Sequence, residues 1–213
     1  NPSQFTDRLI AMGLDKPLGV AISGEGKPKI PHPKDADWDG LDLPWMAFGY
    51  GVMLTPLQTL SYYNAIANNG ELLMPRFVSA VKTLDGKNVK SYPKQVINPA
   101  ICSQETIGKL QHLMEGVVKN KWGTAHNIYN EKLAIAGKTG TCQIDYTTDD
   151  VKYVASFVGY FPAHNPTYSC IVVVHKPNKK IGYYGNVVAA PVVKLIAEAV
   201  IRDIPHHTTL DFN

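Results

Sequence analysis

Apolar side chains recur every three or four residues in several segments of the chain, which is typical of helices that bury one side. The strongest repeat predicts a helix from residue 104 to about 119. Its apolar positions are Ile107, Leu110, Met114 and Val117. A capping box with proline at the first helical position, Thr55 to Gln58, predicts another helix that stops at Asn69-Gly70. Weaker repeats predict a short helix at the start of the chain and a final helix that Pro191 opens and Pro205 ends.

Other segments are predicted to be strands because apolar and polar positions alternate or because β-branched residues dominate. Three of them follow the long helix: Leu133 to Gln143, Tyr153 to Phe161 and Tyr168 to His175. A shorter pair, Phe77 to Leu84 and Asn88 to Tyr92, flanks the turn signal Asp85-Gly86 and predicts a hairpin.

The order of these elements predicts an α+β fold in which three C-terminal strands form an antiparallel meander. The last helix then has a sheet face to cover. Residues 14–48 contain five prolines and four glycines and no sustained repeat, so they are expected to form a long irregular segment.

Composition narrows the functional classes. The chain has 213 residues, 45% of them apolar, and a net charge of +3, which argues against disorder and against a dedicated nucleic-acid binder. No apolar run approaches the roughly 20 residues that a membrane-spanning helix needs. The three cysteines do not form a C-x-x-C pair, so no zinc site is expected.

The segment Gly137-Lys138-Thr139-Gly140-Thr141 carries the clearest chemical signal. A phosphate-binding loop is excluded because Lys132 stands where that motif needs its first glycine. The alternative is the K-T-G element of active-site serine acyltransferases. On a strand, Thr139 and Thr141 project to the same side, Lys138 offers a positive charge, and Gly140 allows another backbone to approach closely.

Several ordered motifs around this element resemble the C-terminal part of the transpeptidase domain of class B penicillin-binding proteins. They are Phe48 to Gly51, the Thr55 to Gln58 helix start, Ala65 to Gly70 followed by Pro75, Gly123 to Ala125, Lys138 to Thr141 with Gln143, Ala155 to Pro162, Tyr184-Gly185 and Ala189 to Val192. The resemblance covers almost the whole chain. It implies a partial serine β-lactamase/D,D-peptidase-like fold, with two further strands of a five-stranded sheet supplied by sequence outside this chain.

Two motifs of that family are missing. Its nucleophile is the serine of S-x-x-K at the start of a helix, and its second element is S-x-N. No S-x-N is present. The two S-x-x-K matches, Ser79 to Lys82 and Ser91 to Lys94, lie in the predicted hairpin and after the Thr55 helix, so they are interpreted as coincidental. Residues 1–213 are therefore expected to be the C-terminal part of the domain, with the nucleophile upstream, and the chain alone is expected to be inactive.

The resemblance implies a serine-type D,D-transpeptidase of cell-wall synthesis, in cell division or elongation. Lys138 would supply charge, Thr139, Gly140 and Thr141 would bind the carboxylate of a peptidoglycan stem peptide or a β-lactam, and the Thr141 N–H would serve an oxyanion hole. No metal or cofactor is implied. The parent would be anchored in the bacterial inner membrane and face the periplasm, among division or elongation proteins. A β-lactam-sensing receptor, a β-lactamase and a non-catalytic binding module remain alternatives.

Overall fold

The computed structural model describes residues 1–144 and 151–203. The described residues form two compact units, which divide between Gln104 and Glu105. No helix in these ranges is both long and apolar enough to span a membrane.

The first unit combines short helices with two small antiparallel sheets. The helices are α1 (Pro2–Ala11), α2 (Asp42–Ala47) and α3 (Pro56–Ala67), and the strands are β1 (Leu72–Leu73), β2 (Ala80–Lys82), β3 (Asn88–Ser91) and β4 (Val96–Asn98). Strand β1 pairs with β4, and β2 pairs with β3 in the hairpin that the sequence predicts around Gly86. The irregular segment contains one helix that the sequence did not predict, α2.

Helix α3 begins where the capping box predicts. Thr55 Oγ1 accepts the Gln58 N–H at 3.1 Å, and Gln58 Oε1 accepts the Thr55 N–H at 2.9 Å. The Gln58 side chain also donates to the carbonyl of Lys16, 2.9 Å away, which ties the irregular segment to the helix. The Glu25 carboxylate accepts the N–H groups of Leu18 at 2.6 Å and Gly19 at 2.9 Å, so this segment is held by side-chain to backbone hydrogen bonds.

The second unit is a three-stranded antiparallel sheet with helices. Its elements are α4 (Gln104–Lys119), a 3₁₀ turn (His126–Ile128), β5 (Ala136–Ile144), β6 (Lys152–Phe161), β7 (Tyr168–His175), α5 (Gly185–Val188) and α6 (Ala190–Asp203). The sheet order is β5-β6-β7, as the predicted meander requires. The start of the final helix near Pro191 is confirmed, whereas its expected stop at Pro205 lies outside the described residues.

One face of this sheet packs on α6. Phe157 and Phe161 are fully buried in a cluster with Ala190, Val193 and Ala197. The half-buried side chains of β7 that complete this layer are Tyr168, Cys170, Val172 and Val174. Because side chains alternate along a strand, every second residue of β5 also belongs to this face.

Several boundaries differ from the sequence prediction. The strand expected from Phe77 to Leu84 is limited to Ala80–Lys82. Strand β5 begins at Ala136 and not at Leu133, because Ala134 has a left-handed φ of 43° and Asn130 O accepts the N–H groups of both Leu133 and Ala134. The four-residue helix α5, which Gly185 opens, was not predicted from the sequence. Its hydrogen bonds run from Val188 N to Tyr184 O and from Ala189 N to Gly185 O.

Candidate active site

The K-T-G residues lie on β5, which is an edge strand of the described sheet. Lys138 pairs with Val158, Thr139 with Phe157 and Thr141 with Ala155. Within the described ranges β5 has no strand partner on its other side, so alternate backbone groups of β5 point to an open edge.

The pairing register separates the motif into two faces. Thr139 and Thr141 share the face of Phe157, because directly opposite residues of an antiparallel pair point to the same side. This is the face that α6 covers. Lys138 and Gly140 belong to the opposite face, and the Lys138 side chain is exposed. The two threonines therefore project together, as the sequence predicts.

The Lys138 ammonium reaches the backbone of the same strand. Its Nζ donates to Thr139 O at 2.8 Å. In an antiparallel strand, the N–H and C=O of residues two apart point to the same side. The Thr139 carbonyl points away from β6, where Lys138 reaches it. Because Thr141 is two residues further along, its N–H points to the same open edge.

The Thr139 hydroxyl meets a residue from a different part of the chain. Thr124 Oγ1 lies 3.1 Å from Thr139 Oγ1. Thr124 is held there by its neighbours: the Ala125 N–H donates to Val117 O at 3.0 Å, and a β-carbon on Gly123 would lie only 2.3 Å from that carbonyl. The glycine of Gly123-Thr124-Ala125 therefore permits the close packing on α4 that brings the threonine to β5.

The Thr141 hydroxyl is oriented by the start of α5. The Gly185 N–H donates to Thr141 Oγ1 at 3.1 Å. A hydroxyl that accepts this hydrogen bond keeps its own hydrogen, which can be donated to an anion. Gly185 is packed so closely on the strand that a β-carbon there would lie 2.2 Å from Ser156 O and 2.6 Å from Gly140 O.

Three tyrosines stack near the end of β5. The ring centroids of Tyr153 and Tyr183 are 4.1 Å apart, and those of Tyr183 and Tyr184 are 4.4 Å apart. Tyr153 pairs with Gln143 on β5, and Tyr184 directly precedes Gly185. None of these tyrosines was predicted from the sequence to be a site residue. The adjacent aromatics Tyr183-Tyr184 before Gly185 were the one available signal.

The two S-x-x-K matches do not form a nucleophile site in the structure. Ser79 immediately precedes β2 and Ser91 is the last residue of β3, so neither serine starts a helix that carries its lysine one turn later. Tyr62, Tyr63 and Asn64, whose sequence is similar to S-x-N, lie inside α3. In the described parts of the chain, no cluster of histidine, cysteine and carboxylate side chains could hold a metal ion.

The arrangement on β5 is suited to binding a carboxylate beside an extended backbone. It offers one ammonium, two hydroxyls with fixed partners, and an open strand edge. The reacting nucleophile is not among the groups gathered here.

Comparisons with known proteins identify the family that this chain matches. The family model described as the penicillin-binding protein transpeptidase domain matches residues 1–198. The chain is 34% identical over 188 residues to the stage V sporulation protein D of Bacillus subtilis, covering 85% of this chain and 28% of that protein. It is 28% identical over 202 residues to the peptidoglycan D,D-transpeptidase FtsI of Buchnera aphidicola, covering 94% of this chain and 33% of that protein.

The same relationship holds for solved structures. The crystal structure of penicillin-binding protein 3 from Mycobacterium tuberculosis complexed with ampicillin superposes with a TM-score of 0.81 at 27% identity, covering 100% of this chain and 48% of that chain. The chain thus spans about a third of the curated relatives and about half of the crystallised protein. From its fold and its sequence, the chain belongs to the penicillin-binding protein transpeptidase-domain family.

Proposed function

We propose that this chain is the C-terminal portion of a peptidoglycan D,D-transpeptidase domain and that β5 is its carboxylate-binding strand. The observation that carries the proposal is that the edge of β5 left open in the described structure is flanked by the Lys138 side chain on one face and by the Thr139 and Thr141 hydroxyls on the other. A structural neighbour has been crystallised with ampicillin, which carries a carboxylate as the terminal D-alanine of a stem peptide does.

Each residue of the motif has a proposed role. Lys138 provides positive charge, and the hydroxyls of Thr139 and Thr141 donate to the ligand carboxylate. Gly140 leaves room for the Ser156 side chain, since a β-carbon at Gly140 would lie 2.5 Å from Ser156 Oγ. The Thr141 N–H stabilises the oxyanion of the tetrahedral intermediate, and losing such a donor typically costs about 10²–10³ in rate.

The proposed reaction is a two-step acyl transfer. A serine oxygen from sequence outside this chain attacks the carbonyl carbon of the penultimate D-alanine, and the peptide bond to the terminal D-alanine breaks after its nitrogen gains a proton. An amine of a neighbouring stem peptide then attacks the acyl-serine ester, loses a proton and releases the serine. With a β-lactam the same attack opens the ring and leaves a covalent penicilloyl serine.

The cellular setting is also part of the proposal. The parent protein would be anchored in the bacterial inner membrane, with this domain in the periplasm or otherwise outside the cytoplasmic membrane. Its partners would be stem peptides, β-lactams and proteins of the division or elongation machinery. The name of the Buchnera relative supports the peptidoglycan assignment.

A fluorescent penicillin tests the proposal in a protein that joins this chain to its nucleophile-bearing segment. The wild type should acquire a stable label, and Lys138→Ala should lower the acylation rate by at least about a hundredfold. Lys132→Ala, an exposed lysine just before the strand, is the matched control and should label normally.

Other outcomes are decisive as well. Near-normal labelling of Lys138→Ala would refute the role of that lysine. A label that forms and is rapidly hydrolysed would indicate a β-lactamase, and the absence of any label would favour a non-catalytic module. The 213-residue chain alone should not be labelled, so stoichiometric labelling of it would contradict the absence of the nucleophile.

A further inference from the structure

The hairpin of the first unit borders a pocket that the proposed reaction does not use. The pocket measures about 300 Å³ and is lined by residues 19–21, 74–78, 92, 93 and 95, mostly through apolar atoms. Three separate stretches of chain form its walls, so it is a concavity and not a gap beside one side chain. Its size is at the lower end of typical ligand sites and suits one large side chain.

Exposed apolar side chains surround this pocket and continue along the hairpin. Phe77 is 59% exposed, Val78 50% and Val89 63%, and Leu84 at the turn is fully exposed. In soluble proteins, a large contiguous patch of exposed apolar side chains usually marks a binding site. We call the residues 76–96 together with 19–21 the hairpin surface.

The hairpin surface is also strongly basic. Residues 76–96 hold Arg76 and four lysines against one acidic residue, Asp85, so this segment carries +4 whereas the whole chain carries +3. Lys87 pairs with Asp85 at 3.1 Å, and Lys94 pairs with Glu71, which lies outside this segment, at 2.6 Å. Lys82 and Lys90 have no carboxylate partner among the described residues, and Lys90 Nζ instead lies 4.8 Å from the centre of the Tyr92 ring. Uncompensated charge beside exposed apolar area favours an acidic, partly apolar partner.

Strand β2 adds a backbone feature to this surface. It pairs with β3 alone in the described structure, which leaves its outer edge open next to residues 76–78 of the pocket wall. An extended peptide can add to such an edge while its alternate side chains enter adjoining pockets.

We propose that the hairpin surface binds an extended acidic segment of a partner protein, which places one large apolar side chain in the pocket and its carboxylates near Lys82 and Lys90. A peptide can insert a side chain into the concavity. A lipid bilayer would contact the protruding Leu84 and leave the pocket floor empty. All residues that support the proposal lie in the first unit, so the proposal does not depend on the transpeptidase reaction.

Fluorescence polarisation of the full chain with a fluorescein-labelled dodecapeptide tests this proposal. The probe alternates glutamate with valine and carries a central phenylalanine, and a second probe replaces each glutamate with lysine. The acidic probe should bind with a micromolar dissociation constant and more weakly as salt is raised, whereas the basic probe should not bind.

Three variants separate the contributions. Lys82→Glu combined with Lys90→Glu should weaken binding at least about tenfold, because two attractions become repulsions. Ala21→Phe, at an exposed position of the pocket wall, should weaken it similarly by filling the cavity. Lys121→Glu combined with Lys132→Glu makes the same charge change in the second unit at exposed positions and should bind like the wild type.

Equal binding by all variants, or no binding of the acidic probe, would overturn the proposal. Binding to a lipid surface would also overturn it. In that case the chain would co-sediment with phosphatidylglycerol vesicles, Lys82→Glu combined with Lys90→Glu would abolish the co-sedimentation, and the peptide would not compete. Concentration-dependent dimers that disappear in the same variants would assign the surface to a second copy and equally overturn the peptide assignment.

Discussion

Replacing Gly185 with alanine is expected to separate α5 from the K-T-G strand. The new β-carbon would lie 2.2 Å from Ser156 O and 2.6 Å from Gly140 O, whereas ordinary contacts begin near 3.4 Å. Both clashing atoms are backbone atoms of paired strands, so the strands cannot yield by a rotamer change. Helix α5 must move outward by about 1 Å, and the hydrogen bond from Gly185 N to Thr141 Oγ1 is lost.

The magnitude follows from two contributions. Overpacking against a fixed backbone costs about 1–3 kcal/mol, and loss of the hydrogen bond costs about 1 kcal/mol. Gly185→Ala should therefore lower the free energy of unfolding by about 2–4 kcal/mol, which for a chain of this size corresponds to a fall in Tm of about 4–16 °C.

Urea denaturation followed by circular dichroism measures this change, and Gly108→Ala provides the matched control. Gly108 lies on the exposed side of α4 with no atom near its β-carbon position, so alanine there should stabilise the helix by up to about 1 kcal/mol. Unchanged stability of Gly185→Ala would refute the close contact between α5 and β5. In the protein with its nucleophile, penicillin acylation should also fall, since the Thr141 hydroxyl loses its orientation.

Three further changes test other parts of the structure. Tyr160→Phe removes a buried hydroxyl that has no hydrogen-bond partner in the described structure, so urea denaturation at pH 7 should show equal or higher stability. Burial raises the pKa of Tyr160 to about 12, so its hydroxyl ionises at a lower pH in the unfolded chain than in the folded one. Between about pH 10 and pH 12 the stability of the wild type should therefore fall further than that of Tyr160→Phe. An identical alkaline profile for the two proteins would contradict it. Thr124→Val should slow acylation about threefold to tenfold by freeing the Thr139 hydroxyl, with recovery in Thr124→Ser; equal rates for both variants would refute the contact. Thr55→Ala should cost about 1 kcal/mol in urea denaturation through loss of the α3 cap, and no change would indicate that the capping box adds nothing.

Elements with local signals were predictable from the sequence. The capping box at Thr55 and the apolar repeat of α4 involve only neighbouring residues, and both helices lie where these patterns place them. Strand β7 has the predicted bounds, because the β-branched residues at its centre favour an extended backbone. The predicted start of β5 at Leu133 was wrong, because the left-handed φ of Ala134 cannot be recognised from the apolar periodicity.

The site itself was only half predictable. Alternation along β5 places Thr139 and Thr141 on one face from the sequence alone. Their hydroxyl partners are Thr124 and Gly185, which are 15 and 44 residues away along the chain, so only the tertiary fold brings them together. The close approach of Gly185 to Gly140 depends on backbone packing that no local pattern records.

The central claim is that Lys138 and its neighbours recognise a ligand carboxylate. Acylation rates with benzylpenicillin and with its methyl ester, measured in the protein joined to its nucleophile-bearing segment, test it most directly. The wild type should strongly prefer the free acid, and this preference should largely disappear in Lys138→Ala, because the residue and the carboxylate are energetically coupled. An undiminished preference in Lys138→Ala would contradict the assignment of β5 as the carboxylate-binding strand.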